Sequence, residues 1–239
     1  MELTKGDKRL EELNASLNDE QFLQNYKAQY DNYKISFLPK ILGLWLVFCG
    51  NLIYEKNPSL LKFRAVEIIA RVPYYSWVSA SFTLMTLFFC NEEKALKYSN
   101  VSRFSTFAQE NETMHVVVIS HLVNQAFKNG ELKVNFISKI FLHNFIPMFF
   151  AFFYFWWSYV LYLINPRWSY ELNFMFENHA FEQYDLFLKQ NAESLKHKKV
   201  ASKFLDWYGR NPRTQYDFFL SVRNDEIIHR NSSITEIKN

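Results

Sequence analysis

The chain has 239 residues, a net charge of +3, 19% aromatic residues and only 5 Gly and 6 Pro. That length allows one sizeable core or two small ones, and so little Gly and Pro argues against a fold of many strands and turns. The mild charge argues against nucleic acid as the main partner, and two cysteines with no CxxC or Cys/His spacing exclude a disulfide framework and a zinc site.

Residues 1–34 are charged and polar with no apolar run, which predicts a surface tail or a peripheral helix rather than a secretory signal or transit peptide. Phe37–Tyr54 predicts a short apolar helix, brief for a bilayer span. Asn57-Pro58-Ser59 introduces a helix over 59–91 that carries Glu67, with a kink at Pro73 one turn later. A helix over 103–128 holds Glu112 and His115 and stops at Asn129-Gly130.

Residues 145–164 run for 20 positions without a charge, long enough to cross a bilayer. Their aromatic richness suits a membrane interface better than the hydrocarbon centre. Both readings are open from the sequence, and we favour a helix lying in one leaflet together with Phe37–Tyr54. Asn165-Pro166-Arg167 ends that stretch. A helix over 168–196 then carries Glu177 and Tyr184, and one over 214–230 carries Glu226 and His229. The bundle domain is expected over 35–230 and a disordered tail over 231–239. Cys49 and Cys90 read as buried thiols.

Two of the four glutamate-bearing segments add a histidine three residues on: Glu112-x-x-His115 and Glu226-x-x-His229. On a helix, i and i+3 share a face, so each pair can aim a carboxylate oxygen and an imidazole nitrogen at one point. With lone Glu67 and Glu177 the inventory is two Glu and two Glu-x-x-His, one set per helix. That is the ligand set of a carboxylate-bridged di-iron or di-manganese centre in an all-α, ferritin-like four-helix bundle. With 17 Glu and 6 His in the chain, chance alone gives about 0.4 Glu-x-x-His matches, so a single pair would mean little. The order and spacing of all six residues carry the argument. His179, Glu182, Glu110, His121, His143 and His197 lack metal spacing and read as ordinary side chains.

Four stretches resemble the alternative oxidase family, and within it the plastid terminal oxidase branch: Glu67-Ile-Ile-Ala-Arg-Val-Pro-Tyr-Tyr75; Asn111-Glu-Thr-Met-His115; Asn165-Pro-Arg with Phe176-Glu-Asn-His-Ala-Phe-Glu-Gln-Tyr184; and Val222-Arg-Asn-Asp-Glu226-Ile-Ile-His229. The resemblance implies a membrane-bound, non-haem quinol oxidase with two Fe ions, which reduces O₂ to water without pumping protons. It implies Glu67, Glu112, His115, Glu177, Glu226 and His229 as metal ligands. Tyr184 is implied beside the metals as a redox or proton participant, and Asp225 as the acceptor for a ligand imidazole. Trp156 and Tyr162 match aromatic positions linked to activity.

Two positions depart from the family pattern. Lys62 stands where the family has an Arg lining the quinol pocket, and Lys has no planar bidentate fork; Phe82 stands where it has a His. The family's plant-branch insertion before the last helix is absent. Lys62, Val66, Phe176, Ala180 and Gln183 are the candidate substrate residues. The implied partners are quinol, O₂ and one leaflet of a bilayer, with a homodimer as a further expectation. The implied setting is a thylakoid or bacterial inner membrane, or a mitochondrial inner membrane. A di-iron hydroxylase or desaturase would use the same ligands on an organic substrate, and a non-catalytic metal-storage bundle is the third reading.

Overall fold

A computed structural model describes residues 8–238, with the side chains of Phe136 and Lys139 left aside. Among the described residues there are helices and no strands. Four of the helices enclose the candidate ligands. Ser59 opens α4 (Leu60–Ala70) by accepting a hydrogen bond from Lys62 N on its hydroxyl. Asn91 caps α6 (Glu92–Lys128) through its side-chain amide oxygen, and Asn165 likewise caps α9 (Pro166–Lys196), whose first residue is a proline that needs no N–H there. Thr214 and Asp217 cap each other at the start of α11 (Gln215–Lys238). Gly130, at φ 74°, ends α6: Glu131 N reaches Ala126 O and Gly130 N reaches Phe127 O. A left-handed residue makes that closure possible, which is why glycine stands there.

The helix expected over 59–91 is two helices. α4 stops at Ala70, Arg71 intervenes, and α5 (Val72–Phe88) restarts with Pro73 in its first turn. A first-turn proline loses no intrahelical bond, so a restart costs less than a kink within a continuous ladder. α6 begins eleven residues earlier than the sequence suggests, because Asn91 supplies a cap ahead of its polar first turns.

Helices pack against the bundle at both ends of the described residues. α1 (Lys8–Ser16) and α2 (Glu20–Ala28) lie against α11, where Leu17 and Leu23 pack with Phe181, Ile227 and Ile228. Asn224, Arg230 and Asn231 reach across to the backbone oxygens of Asn14, Lys27 and Tyr26. The expected disordered tail over 231–239 is corrected as far as Lys238. α11 continues to that residue, with Asn231, Ser233 and Ile234 buried. Covered from several sides, α11 is buried at every position from 222 to 231, so polar residues there bond inward.

α3 (Phe37–Tyr54) lies on α9, with Gly43 so close to Met175 that a Cβ would sit 2.8 Å from its Sδ. α7 (Phe136–Ile140) and a π-helical turn (Phe141–Phe145) lead into α8 (Ile146–Ile164). The turn's freed carbonyls are satisfied from elsewhere: Tyr54 Oη donates to Leu142 O and Arg64 Nη2 to His143 O. Phe37–Tyr54 and Phe141–Ile164 are each long and apolar enough to cross a membrane. Both leave most of their surface outside the core: Phe37, Trp45, Phe48 and Leu52 on one, and Phe152, Trp156, Trp157 and Ile164 on the other, are more than half exposed. α10 (Lys203–Tyr208) closes the bundle near α6. Cys49 is half-buried and Cys90 exposed, correcting the expectation of two buried thiols.

Candidate metal centre

Glu67 comes from α4, Glu112 and His115 from α6, Glu177 from α9, and Glu226 and His229 from α11. The structure brings all six together in the bundle core, none more than 5% exposed. They form two overlapping groups: Glu67, Glu112, His115 and Glu226; and Glu112, Glu177, Glu226 and His229. Within each, one donor atom per residue lies within 4.8 Å of every other. Glu112 and Glu226 belong to both groups, placing them between two positions, while Glu67 with His115 and Glu177 with His229 flank one position each.

His115 Nδ1 stands 3.5 Å from oxygens of Glu67, Glu112 and Glu226. His229 Nδ1 is 2.7 Å from Glu112 Oε1, yet neither atom finds a hydrogen-bond partner. Both oxygens of Glu112 and Glu226, one each of Glu67 and Glu177, and Nδ1 of both imidazoles are buried without partners. A buried unpaired ion costs several kcal/mol, and whole domains are stable by only about 5–15 kcal/mol. So many such atoms converging on one space require cations or protons. Four carboxylates and two imidazoles match two divalent metals of the iron or manganese type in charge and in donor hardness.

Without a metal the cluster holds protons instead. Burial, then the Glu112 charge, pushes Glu67 up to about 7, and the same two causes raise Glu177. Burial and the surrounding carboxylates raise Glu226 well above the usual range. Burial also opposes the charge on Glu112, but His115 and His229 outweigh it and hold that carboxyl low. Burial pushes both imidazoles down, but carboxylate contacts outweigh it and raise them. Metal binding would displace these protons.

Two tyrosines brace the outer carboxylates. Tyr184 Oη donates to Glu67 Oε1, its ring stacked on Phe63 at 4.0 Å. Tyr74 Oη donates to Glu177 Oε1 at 2.7 Å, and Asn173 Nδ2 bonds both. The sequence reading missed Tyr74 and Asn173. Asn173 lies one turn before Glu177 on the same face, which was the available signal.

Asp225 Oδ2 lies 2.9 Å from His115 Nε2 and also accepts from Asn111 at 3.1 Å and from Arg210. Tyr162 is buried beside Trp77 and Tyr170, far from the exposed Trp156 in environment. His179 and Glu182 stay outside the two groups, and Phe82 is exposed.

An apolar cavity of about 130 Å³ adjoins the centre. Val66, Phe176, Ala180, Gln183 and Lys62 all line it, and so do Glu177, Tyr184 and the inner faces of α3 and α8 through Val47, Tyr54 and Tyr154. Lys62 Nζ is engaged by four protein oxygens at 2.9–3.0 Å: Asn51 Oδ1, Glu55 O, Lys56 O and Gln183 Oε1. An ammonium has three protons, so none is left over for a guest in the cavity.

The profile of the alternative oxidase family matches residues 50–236. The chain belongs to the alternative oxidase family. A curated relative, ubiquinol oxidase 4, chloroplastic/chromoplastic, from Arabidopsis thaliana, is 26% identical over 195 residues, covering 73% of this chain. The chain spans about half the length of that relative, 50%. No solved structure matches. The stretch matched by the alternative oxidase profile contains all six clustered residues, both bracing tyrosines and Asp225.

Proposed function

We propose that this alternative oxidase family member is a quinol:oxygen oxidoreductase in which the six clustered side chains hold two irons. The reaction balances as two quinols plus O₂ giving two quinones and two waters. A pair of irons, when bound, supplies electron storage and the sites where O₂ is reduced. The chain's own residues do the rest. Val66, Phe176, Ala180 and Gln183 receive the quinol ring in the cavity, and Lys62 holds that wall in place. Tyr184 and Tyr74 keep protons on Oη, hydrogen-bonded to Glu67 and Glu177, next to where protons are needed. Asp225 fixes His115 with Nδ1 toward the metals.

One observation carries the reading. The cavity lined by Glu177 and Tyr184 is also walled by the two apolar helices, through Val47, Tyr54 and Tyr154. A lipid-soluble reductant fits that path, and a water-soluble one does not. The same helices present exposed Trp and Phe side chains on their outer faces, which supports attachment to one leaflet. The name of the plant relative supports a plastid-type membrane. The purified protein is expected to consume O₂ with a short-chain plastoquinol or ubiquinol as the sole reductant, at two quinols per O₂ and unaffected by cyanide. O₂ uptake that needs a ferredoxin and yields a hydroxylated product would replace this reading with the hydroxylase.

A further inference from the structure

For His115 to offer Nδ1 to a metal, its proton must sit on Nε2 and the neighbouring acceptor must be held as a carboxylate in line with that N–H. Asp225 is that acceptor, and besides Asn111 of α6 it is held by residues outside the four bundle helices. Asn14 Nδ2 of α1 reaches Asp225 Oδ1 at 2.6 Å. Arg210 places Nη1 on Asp225 Oδ2 and Nη2 at 3.2 Å from Oδ1. Arg210 is only 7% exposed. Its far side is gripped by Glu11 of α1, which accepts from Nη2 at 2.6 Å and from Nε at 3.1 Å. Gly209, left-handed at φ 93°, turns the chain after α10 so that Arg210 enters this space.

The guanidinium is thus held in a fork between two carboxylates, one on the N-terminal helix and one bonded to a candidate ligand. An ordinary buried ion pair is weak evidence of any role beyond packing. This one differs in ending on an imidazole whose other nitrogen faces the glutamate cluster. We propose that Arg210, clamped by Glu11, is a positioning residue for the metal centre, and that α1 is an outer layer of that centre rather than a decoration on it. The proposal rests on the metal-centre reading above.

The test uses the full-length chain loaded with ferrous iron, comparing wild type with Arg210→Met, Arg210→Lys and Glu11→Gln. Iron release to a chelator and thermal midpoints with and without iron are measured. Arg210→Met is expected to release iron roughly tenfold faster or more. Arg210→Lys should fall between it and wild type, and Glu11→Gln should shift the same way by less. The gain in Tm on adding iron should shrink in the same order. Equal Tm losses with and without iron, at wild-type release rates, would overturn the proposal and leave Arg210 a packing residue. Should Arg210→Met not fold, Arg210→Lys and the half-exposed Glu11→Gln decide between the same two results. A wild-type chain that takes up no iron would instead remove the metal-centre reading itself, and this proposal with it.

Discussion

Lys62 shows how a single side chain can carry a role its position does not announce. Its ammonium is buried without a carboxylate, and burial lowers its affinity for a proton. Four neutral oxygens compensate, two of them the carbonyls of Glu55 and Lys56. Glu55 sits at φ 65°, ψ 166°, a region nearly restricted to glycine and costing on the order of 1–3 kcal/mol. The Lys62 bonds are what hold it there, and with it the end of α3 that walls the cavity. Lys62→Met is therefore expected to destabilise the chain by about 2–4 kcal/mol by leaving buried acceptors unpaired, read as a fall in Tm with faster proteolysis at Glu55. An unchanged Tm with a raised quinol KM would mean that Lys62 meets the substrate directly. That Glu112 with His115, and Glu226 with His229, would meet on one face was legible in the sequence because Glu-x-x-His spacing is a local property of a helix. Tyr74, Asn14 and Arg210 were not, since each reaches the centre through tertiary contacts that no spacing encodes, whereas Asn173, four residues before Glu177, was marked by its spacing.

At the scale of elements, capping chemistry set most boundaries and burial set the remainder. Phe37–Tyr54 forms the helix its composition predicts, whereas the run over 59–91 divides at Arg71 because Pro73 is cheaper as a starting residue than as an interior one. The ordered C-terminal turns of α11 were hidden by their polar sequence. Asn231 and Ser233 look solvated until α2 and Asn173 supply partners. Glu171 ties the start of α3 to α9, accepting from Tyr33 Oη at 2.7 Å, Ser36 N at 3.0 Å and Arg167 Nε at 2.8 Å. Burial pushes its carboxyl up, but those bonds outweigh burial and lower it. A depressed folded value means the carboxylate stabilises the fold above the ordinary glutamate value near 4.3. That contribution is lost as pH falls through the folded value. Glu171→Gln should cost about 2 kcal/mol at neutral pH and flatten the fall in Tm between pH 5 and pH 3. An equally steep fall in the variant would assign the acid sensitivity to other groups.

For the whole molecule, the fold class followed from composition and from four ligand-bearing segments separated by room for a helix and a turn. Burying four carboxylates is unfavourable for a bare bundle, and the chain nevertheless converges them from α4, α6, α9 and α11 onto one space. Such an arrangement is stable only with its counter-charge present. The two helices long and apolar enough to cross a membrane also wall the cavity that Glu177 and Tyr184 line, so one fold sets an apolar cavity against the buried Glu/His cluster. Elemental analysis of the purified full chain, beside Glu112→Ala, tests this most directly. Two irons per chain are expected for the wild type and a loss of at least one for the variant, since Glu112 stands in both groups. Wild-type protein without stoichiometric metal, or a variant that keeps both ions, would contradict the shared centre.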